Sequence, residues 1–371
     1  MLRPTWVEVD LKKIQLNLQA VKKLVGPKVK LMAVVKANAY GHGAVEVAQA
    51  VIKAGAECLA VATLDEAVAL REAGLKPMIL VMGTNIPADG VEAAAVHNIT
   101  QALCTEELAR SLSASSQELG LTATVHLKID TGMGRIGVHV DDAAQFMSKI
   151  RELPGLQVTG VFSHFASADE ADQEYTSLQL VRFREALDNL TRHGYTFPRR
   201  HIANSAGILD YPESYFDLVR PGCILYGCWP GPNTNNSLPL EPTLAFKTRI
   251  VYLKKIPAGT SISYGRTYIS SCQRTLATLP VGYADGFPRC LSNRGQVLIR
   301  GQRCPVVGRV CMDQCIVDVS EVPGVSLGDE VVLIGSQHED SISAAEVASL
   351  AGTIDLDILC GIGARVPRIY R

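Results

Sequence analysis

A lysine stands directly behind an apolar run, in Ala33-Val34-Val35-Lys36-Ala37-Asn38-Ala39-Tyr40-Gly41-His42-Gly43. Its neighbours are small, so a long amine has room around it. A lysine at the end of a strand often buries its stem and keeps its head in water. The alternative is a Schiff-base lysine, because a partly desolvated amine is the nucleophile that carbonyl cofactors require. Other polar groups follow other short apolar runs in the same way. Lys128 and Asp130 bracket the end of one, with Arg135 beyond it. Ser163-His164 follow Phe162, Asn204-Ser205 follow Ala203, and Arg220-Pro221-Gly222 follow Val219. Ser205 also reads as an ordinary helix cap, and Lys128 as an interior lysine paired with Asp130.

These groups are carried by a repeating pattern. Short apolar runs at 31–35, 58–62, 78–82, 99–104, 124–129, 158–162, 201–203 and 216–219 are each followed by a polar break and a helical stretch. Leu180, Phe183, Leu187 and Leu190 recur at spacings of three and four, as one helix face requires. Runs rich in Val and Ile suit buried parallel strands. Eight strands alternating with helices predict a (β/α)8 barrel, whose catalytic groups sit at the C-terminal strand ends. A doubly wound open sheet is the other solution, but no G-x-G-x-x-G follows the first strand, which removes the usual reason to prefer it.

The pattern changes at Pro230-Gly231-Pro232-Asn233, where a Pro-, Asn- and Gly-rich linker runs to Pro242. Beyond it, β-prone runs at 248–253, 275–281, 296–299, 306–310, 316–319 and 330–334 are separated by turns. A helix is expected at 343–351, with Ser343 and Glu346 spaced as a capping box. The predicted organisation is an α/β barrel over 1–235 and a mostly β domain over 236–371, with residues 1–10 as a strand that packs with the latter.

Composition bounds the function. Hydrophobic residues make up 47% and charged residues 20%, and Lys+Arg 36 against Asp+Glu 37 leaves a net charge of −1. Such a chain is globular and has no overall basic field for nucleic acid. No apolar stretch reaches the roughly 20 residues of a membrane span, and the N-terminus carries no apolar signal region. The ten cysteines include no Cys-x-x-Cys pair, the closest spacings being Cys311/Cys315 and Cys223/Cys228. They read as reduced thiols in a cytoplasmic protein, with no metal site.

Taken together, these segments resemble the alanine racemases, pyridoxal-phosphate enzymes built as a barrel followed by a β domain. The matching stretches are Ala33 to Gly43, Lys128 to Arg135, Ser163-His164, Asn204-Ser205, Arg220-Pro221-Gly222, Ser263-Tyr264-Gly265, Gly282 to Gly286 and Gly308 to Asp313. They run in family order over nearly the whole chain.

The resemblance implies that Lys36 holds pyridoxal 5′-phosphate and is the base on one face of the substrate Cα, and that Tyr264 acts on the other. A phenol, with an ordinary pKa of about 10, is a poor base unless a neighbour assists it. His164 is the expected partner, supported by Arg220. Without the resemblance, Tyr264 reads as a turn tyrosine beside Gly265. Arg220 would face the pyridine nitrogen, Asn204 would lie beside the cofactor, and Tyr40, Ser205 and the N–H groups of Gly222 and Cys223 would take the phosphate. Arg135 and the Met312 N–H would hold the substrate carboxylate, with Tyr283 and Asp313 also lining the substrate. Lys128 is the position at which family members are often carbamylated. Tyr264, Tyr283, Met312 and Asp313 would reach the site of a second subunit, so a homodimer is expected. Cys311 lies beside the expected site, so thiol reagents should inhibit.

The chain departs from the family at Ala364, before Arg365-Val366-Pro367-Arg368, where a tyrosine is common. That makes racemisation of serine or another small amino acid an alternative to L/D-alanine interconversion for peptidoglycan, beside two readings that do not depend on Ala364. A small-amino-acid racemase acting on serine would show itself in relative rates, and a pyridoxal-phosphate decarboxylase in carbon dioxide release. A binding protein that carries the cofactor without turnover would have no need of the β domain.

Overall fold

The computed structural model describes residues 3–84 and 90–371. The chain divides into two compact units, one of Lys12–Ala39 with Ala44–Glu241, the other of residues 3–11 with Tyr40–Gly43 and Pro242–Arg371. Its first strand, β1 (Thr5–Val9), belongs to the second.

The first unit is a barrel. Its strands are β2 (Lys30–Val34), β3 (Cys58–Val61), β4 (Met78–Val81), β5 (Thr100–Leu103), β6 (Ala123–Asp130), β8 (Leu156–Phe162), β9 (Arg200–His201) and β10 (Leu218–Val219), and the short β7 (Val138–His139) pairs beside β6. They pair in the order β10-β2-β3-β4-β5-β6-β8-β9, all parallel. The ring closes between its ends, where Asp217 N–H donates to Arg200 O (3.2 Å) and Arg220 N–H to Ala203 O (3.0 Å). Leu180, Phe183, Leu187 and Leu190 of the helix Glu174–Arg192 are all buried in the barrel core, a contribution of about 1.5–3 kcal/mol for each fully buried side chain. The barrel strands also bury polar groups, with His126, Lys128 and His201 all at or below 3% exposure.

The second unit continues with β11 (Leu244–Arg249), β12 (Tyr252–Ile256), β13 (Ser261–Ile262), β14 (Tyr268–Ile269), β15 (Arg274–Leu279), β16 (Gln296–Ile299), β17 (Gln302–Pro305), β18 (Cys315–Asp318), β19 (Glu330–Gln337), β20 (Asp340–Ile342) and β21 (Arg368–Tyr370). The N-terminal β1 lies between β11 and β21, antiparallel to the first and parallel to the second.

Three expectations for this unit are corrected. The run 248–253 is not one strand. Ile250 N–H donates to Asp329 O and Val251 N–H to Thr278 O, so the chain leaves the seven-stranded sheet after β11 and joins the three-stranded one at β12. The run 306–310 is not a strand either. Val306 makes only an isolated bridge to Val317, and Gly308 turns at φ +77, where a Cβ would meet Ser263 Cβ at 2.8 Å. The helix Ala344–Ala351 forms with Ser343 Oγ accepting the Glu346 N–H (3.0 Å). The reciprocal half of the box is missing because Glu346 pairs with Arg303 instead.

Candidate active site

Lys36 leaves the end of β2 partly buried. The four residues after it, Ala37, Asn38, Ala39 and Tyr40, all have φ of 52–53°. They form a left-handed turn that costs L-residues about 1–2 kcal/mol each, so the surroundings must hold it. Ala39 N–H donates to Val35 O (2.9 Å). Asn38 Oδ1 accepts the Ala44 N–H (2.9 Å), and Glu66 Oε1 accepts the Ala37 N–H (2.5 Å). Tyr40 is buried and groups with the second unit.

Arg220 is the hub of the barrel interior. Its Nη2 donates to Ser163 O (2.8 Å), Ile202 O (2.9 Å) and His164 Nδ1 (3.1 Å), and its Nη1 to His201 Nδ1 (2.7 Å). His201 Nε2 in turn lies 2.9 Å from His126 Nδ1. An arginine only donates, so each histidine accepts at Nδ1 and carries its proton on Nε2. The His126 Nε2 at the end of the chain has no partner among the described residues. Burial, reinforced by the Arg220 charge, holds His164 and His201 well below the ordinary histidine range. Burial, with Arg199 and Arg220, lowers His126 to about 3. Burial also lowers Arg220 to about 9, which leaves it a cation at neutral pH.

Lys128 points into the same interior with its Nζ 4.9 Å from the Phe162 ring centroid. The alternative pairing of Lys128 with Asp130 does not form. Asp130 turns to its own loop and accepts N–H groups of Gly132 (2.9 Å) and Gly134 (3.1 Å), while Lys128 Nζ has no hydrogen-bond partner among the described residues. Burial first, then the Arg220 charge, lowers this amine to about 7. Arg135 is exposed on the loop beyond.

Asn204 caps the helix Ser205–Asp210, its Oδ1 accepting the Gly207 N–H (2.9 Å). Ser205 Oγ accepts the Gly222 N–H (2.9 Å), which leaves the hydroxyl proton to donate elsewhere. Gly222 and Cys223 are buried. The structure thus gathers His164, Arg220 and Lys128 in one barrel interior, and pairs Ser205 with Gly222.

The remaining expected residues lie in the second unit. Tyr264 follows Ser263, itself at φ 62°, and is 72% exposed. Tyr283 and Met312 are exposed as well, and their segments are locked together. Tyr283 N–H donates to Cys311 O and Ala284 N–H to Met312 O, an approach so close that a Cβ on Gly282 would strike both carbonyls. The pivot is Asp285, fully buried, which accepts from Arg3 (2.6 and 2.5 Å), Arg365 (2.7 Å) and the Gly282 N–H (2.9 Å). Burial alone would raise its carboxyl, but the hydrogen bonds from Arg3 and Arg365 outweigh burial and hold it below the ordinary range. Asp313 is tied by its carboxylate to Arg365 (2.7 Å), next to the exposed Ala364.

Sequence reasoning missed His201, His126, Asp285 and Glu66. Only Glu66 had a legible signal, the Thr63-x-x-Glu66 capping box.

Known proteins share both the sequence and the fold of this chain. Residues 9–230 match the alanine racemase N-terminal domain and residues 243–370 the alanine racemase C-terminal domain. Alanine racemases of Halothermothrix orenii and Desulforamulus reducens are each 48% identical over all of this chain, covering 97% and 100% of their own lengths. Among solved structures, an alanine racemase of Clostridium difficile superposes with TM-score 0.96 at 37% identity, over 99% of this chain and 96% of that one. The Bacillus anthracis alanine racemase with bound L-Ala-P gives 0.94 at 39%, over 100% and 95%. The chain belongs to the alanine racemase family.

Proposed function

We propose that this protein interconverts L- and D-alanine with pyridoxal 5′-phosphate, moving the Cα proton between the two faces of the substrate. The observation that carries the reading is the Arg220 cluster, a buried cation fixed by four acceptors in the barrel whose rim bears Lys36.

The donor set suits the cofactor. The four bonds of Arg220 run from its Nη1 and Nη2, and an N–H donor at Nε would fit a pyridine nitrogen. The Ser205 hydroxyl has a proton to give, and with the Cys223 backbone N–H it would take the phosphate, while the Gly222 N–H holds Ser205 Oγ in place and Asn204 fixes the turn that presents Ser205. Lys36 would bind the aldehyde. When bound, the cofactor withdraws electrons from the amino group attached to it and so acidifies the Cα proton.

Lys36 then holds or delivers the Cα proton on one face, and Tyr264 from a second copy of the chain does so on the other. The exposure of Tyr264, Tyr283 and Met312 supports this head-to-tail sharing in a homodimer. His164 offers an Nε2–H as hydrogen-bond donor, because Arg220 occupies its Nδ1. Arg220 donates without surrendering its proton at neutral pH, so the ring is a restrained electron sink and transamination is discouraged. Arg135 and the Met312 N–H hold the substrate carboxylate, beside Tyr283 and Asp313. The Lys128 amine, lowered to about 7 by burial, is partly unprotonated at neutral pH; that form is suited to add carbon dioxide, forming the N–C bond and releasing one proton, which would leave a carbamate that orients Arg135.

The full-length relatives are named alanine racemases, which favours alanine over serine and over decarboxylation. No described helix is long and apolar enough to cross a membrane. A cytoplasmic enzyme that supplies D-alanine for peptidoglycan follows from this reading.

The test is to load the protein with pyridoxal phosphate, add L-alanine, and follow D-alanine by chiral chromatography. Wild type is expected to reach an equal mixture, and Lys36→Ala to lose both the bound-cofactor absorbance and nearly all turnover. A yellow, active Lys36→Ala protein, or carbon dioxide as the product, overturns the reading.

A further inference from the structure

We propose that Glu66 is a positioning residue for Lys36, its carboxylate fixing the peptide that joins Lys36 to Ala37. The proposal rests on the reading of Lys36 given above.

Three N–H donors from two strand exits converge on this one carboxylate. Oε2 accepts from Ala62 (2.8 Å) and Thr63 (3.3 Å) beyond β3, closing the capping box of the helix Leu64–Glu72. A capping box needs no more than this. Oε1 is turned the other way, to the Ala37 N–H beyond β2. That N–H belongs to the Lys36–Ala37 peptide, so holding it holds ψ of Lys36 and with it the direction in which the side chain leaves the strand.

The segment needs such a holder. Four successive non-glycine residues sit in the left-handed region, which L-residues leave when nothing constrains them. Of the hydrogen bonds described for the turn, those from Ala39 to Val35 and from Ala44 to Asn38 are local to the segment. The bond to Glu66 is the described one that reaches a separate element. A Gln at this position fails at the same task, because its single carbonyl oxygen can face either Ala37 or the cap, and its NH2 then confronts an N–H on the other side.

The experiment compares Glu66→Gln with Thr63→Ala in the full-length protein. Thr63→Ala removes the other half of the cap, Thr63 Oγ1 to Glu66 N–H (3.4 Å), and leaves the Ala37 bond intact. Two readouts are taken. The first is amide hydrogen exchange across residues 36–40 without cofactor, where Glu66→Gln is expected to exchange at least tenfold faster and Thr63→Ala at the wild-type rate. The second is steady-state racemisation with cofactor. Misplacement by about 1 Å costs roughly 100-fold in rate, so kcat of Glu66→Gln should fall about 10- to 100-fold with KM within about twofold, while kcat of Thr63→Ala is unchanged. Wild-type exchange at residues 36–40 in Glu66→Gln overturns the proposal, as does a kcat within twofold of wild type or an equal kcat loss in Thr63→Ala. Lys36→Ala run alongside separates the two levels. If it is inactive while Glu66→Gln is normal, only the Glu66 proposal fails; if it remains active, the reading of the site itself fails.

Discussion

Replacing Lys128 by Met should stabilise the protein, and the gain should disappear as pH rises. The unfolded chain keeps the proton on this amine up to its ordinary value of 10.5, whereas burial makes the native chain release it near 7. Between those values the unfolded state binds more protons, so native stability rises with pH through this group. The gap of about 3.5 units, at roughly 1.36 kcal/mol per unit, is a penalty of about 4–5 kcal/mol at pH 7 that shrinks to about 2 kcal/mol at pH 9. Methionine keeps the length of the stem, fills a similar volume and does not titrate. The assay is urea denaturation of both proteins at fixed concentration in carbon-dioxide-free buffer, at pH 7, 8 and 9. The buried thiols Cys58 and Cys304, pushed up to about 11 and 12 by burial, act on both proteins alike and cancel in the difference. The Met advantage should decline by about 2–3 kcal/mol over this range. An advantage that stays constant with pH, or a Met variant less stable than wild type at pH 7, would refute the argument that an unpaired amine is buried here.

Three further outcomes follow from the same structure. His126, His164 and His201 are held below the ordinary 6.5, so the unfolded chain binds extra protons below that pH. Stability should fall by up to about 2 kcal/mol per histidine between pH 6.5 and 5, and urea midpoints that do not move would contradict it. Asp285→Asn removes the buried carboxylate that the partly exposed Arg3 and Arg365 share; a loss of about 1–3 kcal/mol is expected by thermal or urea unfolding, and unchanged stability would deny Asp285 its pivotal place. Cys311 is half-buried between Ser263 and the Met312 segment, so a bulky thiol reagent there should cut turnover at least tenfold, and full activity after complete modification of Cys311 counts against that.

The barrel was legible because parallel strands buried on both faces read as short apolar runs, and all eight runs coincide with strands. The last two are shorter than their runs: Phe216 takes φ 47°, and Ala203 O serves Arg220 N–H beyond the regular ladder. The break at Ile250–Val251 could not be read, because a continuous β-prone run gives no sign of changing sheets. Lys36, His164, Ser205 and Arg220 were legible as candidates because each follows a strand end. His126 and His201 were not, since they lie 75 positions apart and only barrel closure brings them to 2.9 Å. Asp130 shows a related limit: a position two residues from Lys128 on one strand permits a pair, yet the loop's own N–H groups take its carboxylate.

The central claim is that this chain removes and replaces the Cα proton of alanine. Proton NMR of the cofactor-loaded protein with L-alanine in deuterium oxide tests it directly. The account predicts loss of the Cα–H signal, with the methyl doublet collapsing as deuterium enters, together with D-alanine in the chiral analysis. An undiminished Cα–H signal after prolonged incubation with fully loaded protein would contradict it.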